Sequence, residues 1–331
     1  MPTAPLHLIA FIIGIALIFD YVNGFHDAAN SVATVVSTRV LSAGVAVFWA
    51  AVFNFLAAYF LGTGVAATMG AGFVDISLVT PQVVLAGLLG AVAWDVLTWY
   101  LGLPTSSSHA LIGGYAGAAF ARAGIRGLVA GKWLITTAFL VLSPVIGLLS
   151  AYLLMVLVFW IFRRFTPAQL DRHFRRYQLV SAALLSCAHG TNDAQKTMGI
   201  ITALLVSAGI RKNFNVPTWV IAASSTAIAL GTLSGGWRIV RTMGTRLTRL
   251  KPRSGFCAET GAAISILFAT WLGLPVSSTH AIAGAIAGVG SIQRTRAVRW
   301  HVAQGIVTAW IVTMPASAIV AAAFYFLVRL Y

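Results

Sequence analysis

Two aspartates lie in matching polar stretches of an otherwise apolar chain: Asp27 in GFHDAANS (Gly24 to Ser31) and Asp193 in GTNDAQKT (Gly190 to Thr197). A second pair of stretches follows in the same order, GLPTSSSHALIGGYAG (Gly102 to Gly117) and GLPVSSTHAIAGAIAG (Gly273 to Gly288). The offsets, 190 − 24 = 166 and 273 − 102 = 171, are nearly equal. Two unlike motifs repeating in one order at nearly one spacing mark a duplicated half. An acid at the centre of a membrane helix costs about 2.5–3.5 kcal/mol to insert, so an acid kept there in both copies has a task. Carboxylates in such a place hold cations or protons.

The serine-rich turns supply the complementary chemistry. Pro104 precedes Ser106, Ser107 and Ser108, and Pro275 precedes Ser277, Ser278 and Thr279. Proline suits the first turn of a helix, where free N–H groups and the positive dipole end favour an anion. Two such starts facing each other would cradle a tetrahedral oxyanion without a buried arginine. A neighbouring carboxylate accepts hydrogen bonds but cannot donate them, so it admits hydrogen phosphate or dihydrogen phosphate and disfavours sulfate. The remaining negative charge is offset by a co-transported cation held by Asp27, Asp193 and Glu259, which makes symport the mechanism these residues suggest. Lys196 serves either as an anion contact or as a partner for a nearby acid; Asp20 and Asp95 are further acids in apolar surroundings. His109 and His280 close the serine turns, as interhelix partners or as ligands.

The elements that position these groups follow from composition. The chain has 331 residues, 59% hydrophobic and 9% charged, with a mean hydropathy of +0.89. Those values describe a membrane protein. Segments such as AGVAVFWAAVFNFLAAYFLG (Ala43 to Gly62) are apolar on every face, whereas an outer-membrane strand alternates. The fold class is therefore an all-α polytopic membrane protein. The first apolar run, Leu6 to Phe19, is expected to stay as a helix and not to act as a signal peptide, having no basic flank.

Paired interruptions in two halves point to a transporter's binding site. The sequence predicts broken helices over residues 6–37 and 178–208, unwound at Gly24 and Gly190 so that carbonyls are free for a cation. Pro-led hairpins are expected over 104–121 and 275–292. The domain boundaries are 1–162 for the first repeat, 163–176 for a short basic cytoplasmic linker, and 177–331 for the second repeat. Counting spans leaves open whether the halves run parallel or inverted.

The formal net charge of +15 would suggest nucleic acid in a soluble protein. Here the bases lie between spans, in RRFTPAQLDRHFRRY and WRIVRTMGTRLTRLKPR, and read as cytoplasmic loops touching the lipid bilayer. Nucleic acid is not an expected partner. Cys187 and Cys257 form no metal or disulfide spacing.

At these residues the sequence resembles the PiT family of inorganic phosphate transporters, through GFHDAANSVATVVSTR, HGTNDAQKTMGI and the two GLPxSSxHA turns. The resemblance covers nearly the whole chain. It implies two inverted repeats with two re-entrant-type helical hairpins, a homodimer, and phosphate held between the hairpin tips and the aspartate motifs. Carried over, the signature positions are Asp27, Asn30, Asn192 and Asp193, with Asn30 a polar phosphate ligand and Asn192 on the coupling ion. Many members have Asn where this chain has His26, and GFHD looks like a bacterial low-affinity, proton-driven branch that accepts metal-phosphate complexes. An imidazole titrates near neutral pH, so His26 leans the coupling ion toward H+ over Na+. The implied location is a bacterial inner membrane. No cofactor is expected beyond the transported H+ or Na+ and a divalent metal bound to phosphate.

Two other readings share the scaffold: a sulfate permease and an anion channel. An enzyme finds no support, since the chain has no HExxH, nucleophile elbow or P-loop.

Overall fold

In hydrocarbon every backbone N–H and C=O must be paired within the segment, so apolar runs of this length become helices. The computed structural model describes residues 4–57, 62–293 and 298–330. Among them, the first half of the chain forms α1 (Leu6–Ser37), α2 (Ala43–Ala57), α3 (Gly64–Ala71), α4 (Pro81–Leu101), α5 (Ser107–Ala123) and α6 (Ala130–Ile161). The second half forms α7 (Pro167–Ser207), α8 (Thr218–Ser234), α9 (Trp237–Arg241), α10 (Pro252–Trp271), α11 (Ser278–Gln293) and α12 (Trp300–Val328). Arg294 and Arg296, which the sequence places after the second hairpin, lie outside the described residues.

Among the described residues, α1, α4, α6 and α12 are long and apolar enough to cross a membrane; α8 and the stretch Trp237–Gly244, bent by 62° at the break between them, are so only when taken together. The 41 residues of α7 reach about 60 Å at 1.5 Å per residue, twice the hydrocarbon thickness. Its first turns hold the basic stretch expected to be a linker, closed by a capping box between Thr166 and Gln169. Leu170 and Phe174 on these turns are buried.

The packing exchanges elements between the halves. Helices α4 and α5 lie on α12, and α10 and α11 lie on α6. Likewise α1 packs on α8 while α7 packs on α2. Glycines set these close approaches. A Cβ on Gly117 would meet the Ala318 carbonyl oxygen at 2.3 Å, and one on Gly288 the Leu148 carbonyl oxygen at 2.3 Å. Outside them α6 and α12 present Leu134, Leu153, Trp160, Ile311 and Ile319 as exposed apolar surface suited to lipid.

Two expectations about local structure are corrected. Helices α1 and α7 are not broken: both stay α-helical through Gly24 to Ser31 and Gly190 to Thr197. Their glycines serve packing instead of unwinding. A Cβ on Gly24 would sit 2.1 Å from the Ile228 carbonyl oxygen of α8, and one on Gly190 would sit 2.5 Å from the Asn54 carbonyl oxygen of α2. Nor does each hairpin begin at its proline. The arms are α4 with α5 and α10 with α11, and the turns lie at Gly102 to Ser106 and Leu272 to Ser277. Gly102 and Gly273, with φ of 68° and 69°, end the first arms in the left-handed conformation that glycine adopts without strain. Within the hairpin turns the irregular backbone of Pro104 to Ser106 and Leu274 to Ser277 is buried in protein.

Candidate functional site

Helices α1 and α7 meet at the centre of the molecule and bring the two aspartates together. Asp27 and Asp193 are 2% and 0% exposed. One ligand atom each of Asp27, His189 and Asp193 lies within 4.8 Å of the others, a set that could hold a cation. Both hairpin tips converge on the same place.

The first tip and α1 build a chain of polar contacts. Nδ1 of His26 lies 2.8 Å from Oδ1 of Asp27, and the Ser107 hydroxyl donates to the same oxygen at 3.4 Å. Nε2 of His26 lies 3.2 Å from the Thr98 hydroxyl and 3.3 Å from that of Thr105. Each threonine has one proton to give. Thr98 gives its proton to the Trp94 carbonyl at 2.9 Å, and Thr105 gives its own to Thr98 at 2.9 Å. Turned the other way, Thr105 gives that proton to Nε2 at 3.3 Å, so Nε2 donates or accepts according to the ring's tautomer. In either case the 2.8 Å approach of Nδ1 to a carboxylate oxygen is a hydrogen bond with its hydrogen between them.

The second half is arranged otherwise. Oδ1 of Asp193 accepts from the ammonium of Lys196, which also donates to the Ser108 hydroxyl and, at 2.8 Å, to the Val276 carbonyl. Oδ2 lies 3.0 Å from Nε2 of His189 and accepts from the Ser278 hydroxyl at 3.0 Å. Asn192 anchors the tip instead of facing the centre: it donates to Thr270 at 2.8 Å and to the Leu274 carbonyl at 3.2 Å, and accepts from the Val276 N–H at 3.2 Å.

The serine turns start helices, as their sequence suggests. Ser106 and Ser277 are the caps, accepting from the N–H of His109 at 3.3 Å and of His280 at 3.2 Å. The tips touch, with Ser108 donating to the Val276 carbonyl at 3.2 Å. The rings of His109 and His280 stand edge to face, centroids 4.4 Å apart, and His280 stacks on Trp310 at 3.7 Å. Asn30 reaches across to the second tip, donating to Ser278 at 3.1 Å and Thr279 at 2.9 Å. The structure thus gathers Asp27, Asn30, Ser106, Ser107, Ser108, Asp193, Ser277, Ser278 and Thr279 in one buried region with His26 and Asn192.

Glu259 is not part of that region. It accepts from Thr34 at 2.6 Å, from Gln178 at 2.8 Å and from Ser181, tying α10 to α1 and α7. Thr34 stands seven residues beyond Asp27 on α1, about 10 Å along the axis at 1.5 Å per residue. Asp95 lies beside His26 and Ser107. Asp20 faces Thr197 and Ser224, one side of the centre.

A family model described as "Phosphate transporter family" matches residues 23–321. The chain belongs to the phosphate transporter family. A probable low-affinity inorganic phosphate transporter of Rhizobium meliloti is 55% identical over 320 residues, 96% of each chain. One of Bacillus subtilis, described in the same words, is 45% identical over 319 residues, 95% of each chain. A solved structure titled "The sodium-dependent phosphate transporter" has the same fold, with a TM-score of 0.87 over 98% of this chain and 99% of that one at 24% identity. The molecule is thus an integral membrane phosphate transporter and not an enzyme.

Reading the phosphate transporter's motifs alone passes over His189, Asn54, Thr98, Thr105 and Gln195. His189 makes the approach to Asp193 and its Nδ1 lies 3.2 Å from Asn54 Oδ1. Its signal is in the repeat: 189 − 166 = 23, so it stands where the first half has Asn23. Gln195 accepts from the N–H groups of Val65 at 2.9 Å and Ala66 at 3.3 Å, at the open start of α3. Nothing in local sequence ties a glutamine to a helix 130 residues away.

Proposed function

We propose that this phosphate transporter is a proton-coupled symporter, importing inorganic phosphate, free or as a metal-phosphate complex, between the two hairpin tips and the aspartates of α1 and α7. The observation that carries the coupling is the 2.8 Å approach of Nδ1 of His26 to Oδ1 of Asp27, a buried pair able to take up a proton. Phosphate meets the starts of α5 and α11, where free N–H groups and the hydroxyls of Ser107, Ser108, Ser278 and Thr279 converge. A protonated phosphate oxygen donates to an aspartate, while sulfate has no proton to offer. With an added proton the His26–Asp27 pair is neutral and tolerates the anion; without it the pair carries one negative charge and repels it, which ties release of the proton to release of phosphate. The carboxylates and imidazole of Asp27, Asp193 and His189 suit a divalent metal carried on phosphate.

In this reading residues 1–162 and 177–331 are inverted repeats that exchange partners across the centre, which the reciprocal packing of α5 on α12 and α11 on α6 supports. The assembly is a homodimer in the bacterial plasma membrane. Reconstituted vesicles with separately imposed Na+ and proton gradients provide the test, with labelled phosphate and unlabelled sulfate as competitor. An inward proton gradient is expected to accelerate uptake and sulfate to compete poorly. Acceleration by Na+ alone, or stronger competition by sulfate than by phosphate, would overturn the reading.

A further inference from the structure

Lys196 is among the largest fully buried side chains, 1% exposed. An ammonium has three N–H donors and no acceptor. All three have protein oxygens to meet: Oδ1 of Asp193 on its own helix, the Ser108 hydroxyl on the first tip, and the Val276 carbonyl on the second. A lysine placed to bind phosphate would keep a donor for it. A carboxylate, a hydroxyl and a main-chain carbonyl converging from three segments are instead the hard oxygen donors that a small metal cation takes.

We infer that Lys196 is a tethered cation, filling with its own ammonium a place that would otherwise bind Na+. This rests on the reading of the centre as a cation-coupled phosphate site. The matching position of the first half, 196 − 166 = 30, is the neutral Asn30, which reaches the second tip alone. Lys196 therefore supplies a fixed positive charge between the tips that no gradient delivers. Transport then needs no Na+ at this place, and the cation that moves is held in the other half, at Asp27.

The inference is tested by emptying the place. In purified protein, the melting temperature is measured in NaCl and in choline chloride at equal ionic strength, for wild type, Lys196→Ala and Lys196→Met. Wild type is expected to melt at one temperature in both salts. Lys196→Ala is expected to melt lower in choline chloride and to recover by several degrees in NaCl, because a cation bound only by the folded state stabilises it. Methionine keeps the stem but blocks the space, so Lys196→Met should not recover. In vesicles, phosphate uptake by Lys196→Ala should rise about tenfold or more on adding NaCl, as Asp193 regains a cationic partner. Should Lys196→Ala not survive purification, Lys196→Ser, which returns a hydroxyl to the space, enters the same comparison. Equal stabilisation of wild type by NaCl, no salt response in the small variants, or normal uptake by Lys196→Met would each overturn the inference. A wild type that takes up no phosphate under any gradient overturns the symport reading alone, since the melting comparison still decides the cation place.

Discussion

The central helices of the two halves carry the same frame with different side chains. At matched positions 166 apart, α1 has Asn23, His26, Asp27 and Asn30 where α7 has His189, Asn192, Asp193 and Lys196. Aspartate is common to both, while histidine and asparagine trade places around it. The exchange changes what each acid can do. Asp193 has the ammonium of Lys196 on one oxygen and the Ser278 hydroxyl on the other, with Nε2 of His189 3.0 Å away, so its charge has a partner within the protein. Asp27 has His26 at 2.8 Å and Ser107 at 3.4 Å, and no ammonium. Under the proposed proton coupling, duplication yields a fixed half and a loadable half.

The largest effect that can break this comparison is expected from Asp193→Asn. Removing one member of a buried pair leaves Lys196 charged without its carboxylate, at a cost of about 3–5 kcal/mol. Uptake should vanish and the melting temperature should fall. Asp27→Asn should also abolish proton-driven uptake but leave the melting temperature near wild type, because no ammonium is stranded. Equal loss of stability in both variants would remove the distinction between fixed and loadable halves.

Next in size is His26→Gln. Glutamine keeps a polar contact to Asp27 but cannot hold a proton. Uptake down a phosphate gradient should persist, while the acceleration by an inward proton gradient should disappear. The ratio of initial rates with and without the gradient is the measurement, and a ratio unchanged from wild type would place the coupling proton elsewhere.

Much of this arrangement was legible in the sequence, for identifiable reasons. Asp27, Asp193 and the serine turns stand out because polar residues in apolar segments need a cause, and because each occurs twice. The all-helical membrane class follows from hydropathy. The broken helices were misread because Gly24 and Gly190 have two uses: releasing backbone, or letting two helices touch. Only the backbone oxygens of Ile228 and Asn54, at 2.1 and 2.5 Å from the added Cβ positions, decide for the second. Glu259 illustrates the same limit. A buried acid announces a partner, but Thr34, Gln178 and Ser181 come from distant stretches that no spacing rule connects.

A smaller effect tests the glycines. Gly24→Ala pushes a methyl into the Ile228 carbonyl and Gly190→Ala pushes one into that of Asn54. Overpacking against backbone typically costs about 1–3 kcal/mol. Both variants should melt earlier than wild type, Gly24→Ala more so because its contact is shorter. An unchanged melting temperature in both would revive unwinding as the glycines' task.

The smallest effect separates the two halves most finely. Thr98 touches neither phosphate nor cation in the proposed site; its oxygen accepts from Thr105 and faces Nε2 of His26. Thr98→Val keeps the shape and removes that oxygen. Nε2 then has only Thr105, 3.3 Å away, whose proton is free to turn toward it. The neutral ring then sits with its one hydrogen on Nδ1 toward Asp27 and Nε2 accepting from Thr105, which makes a second proton on the ring less favourable. A hydrogen bond of this kind is worth about 1 kcal/mol, which predicts a several-fold weaker response to the proton gradient with little change in stability. Asn54→Leu alters the corresponding support of His189. It should leave the proton response intact, because the second half does not carry the proton. A weaker response in Asn54→Leu than in Thr98→Val would move the loadable acid from Asp27 to Asp193.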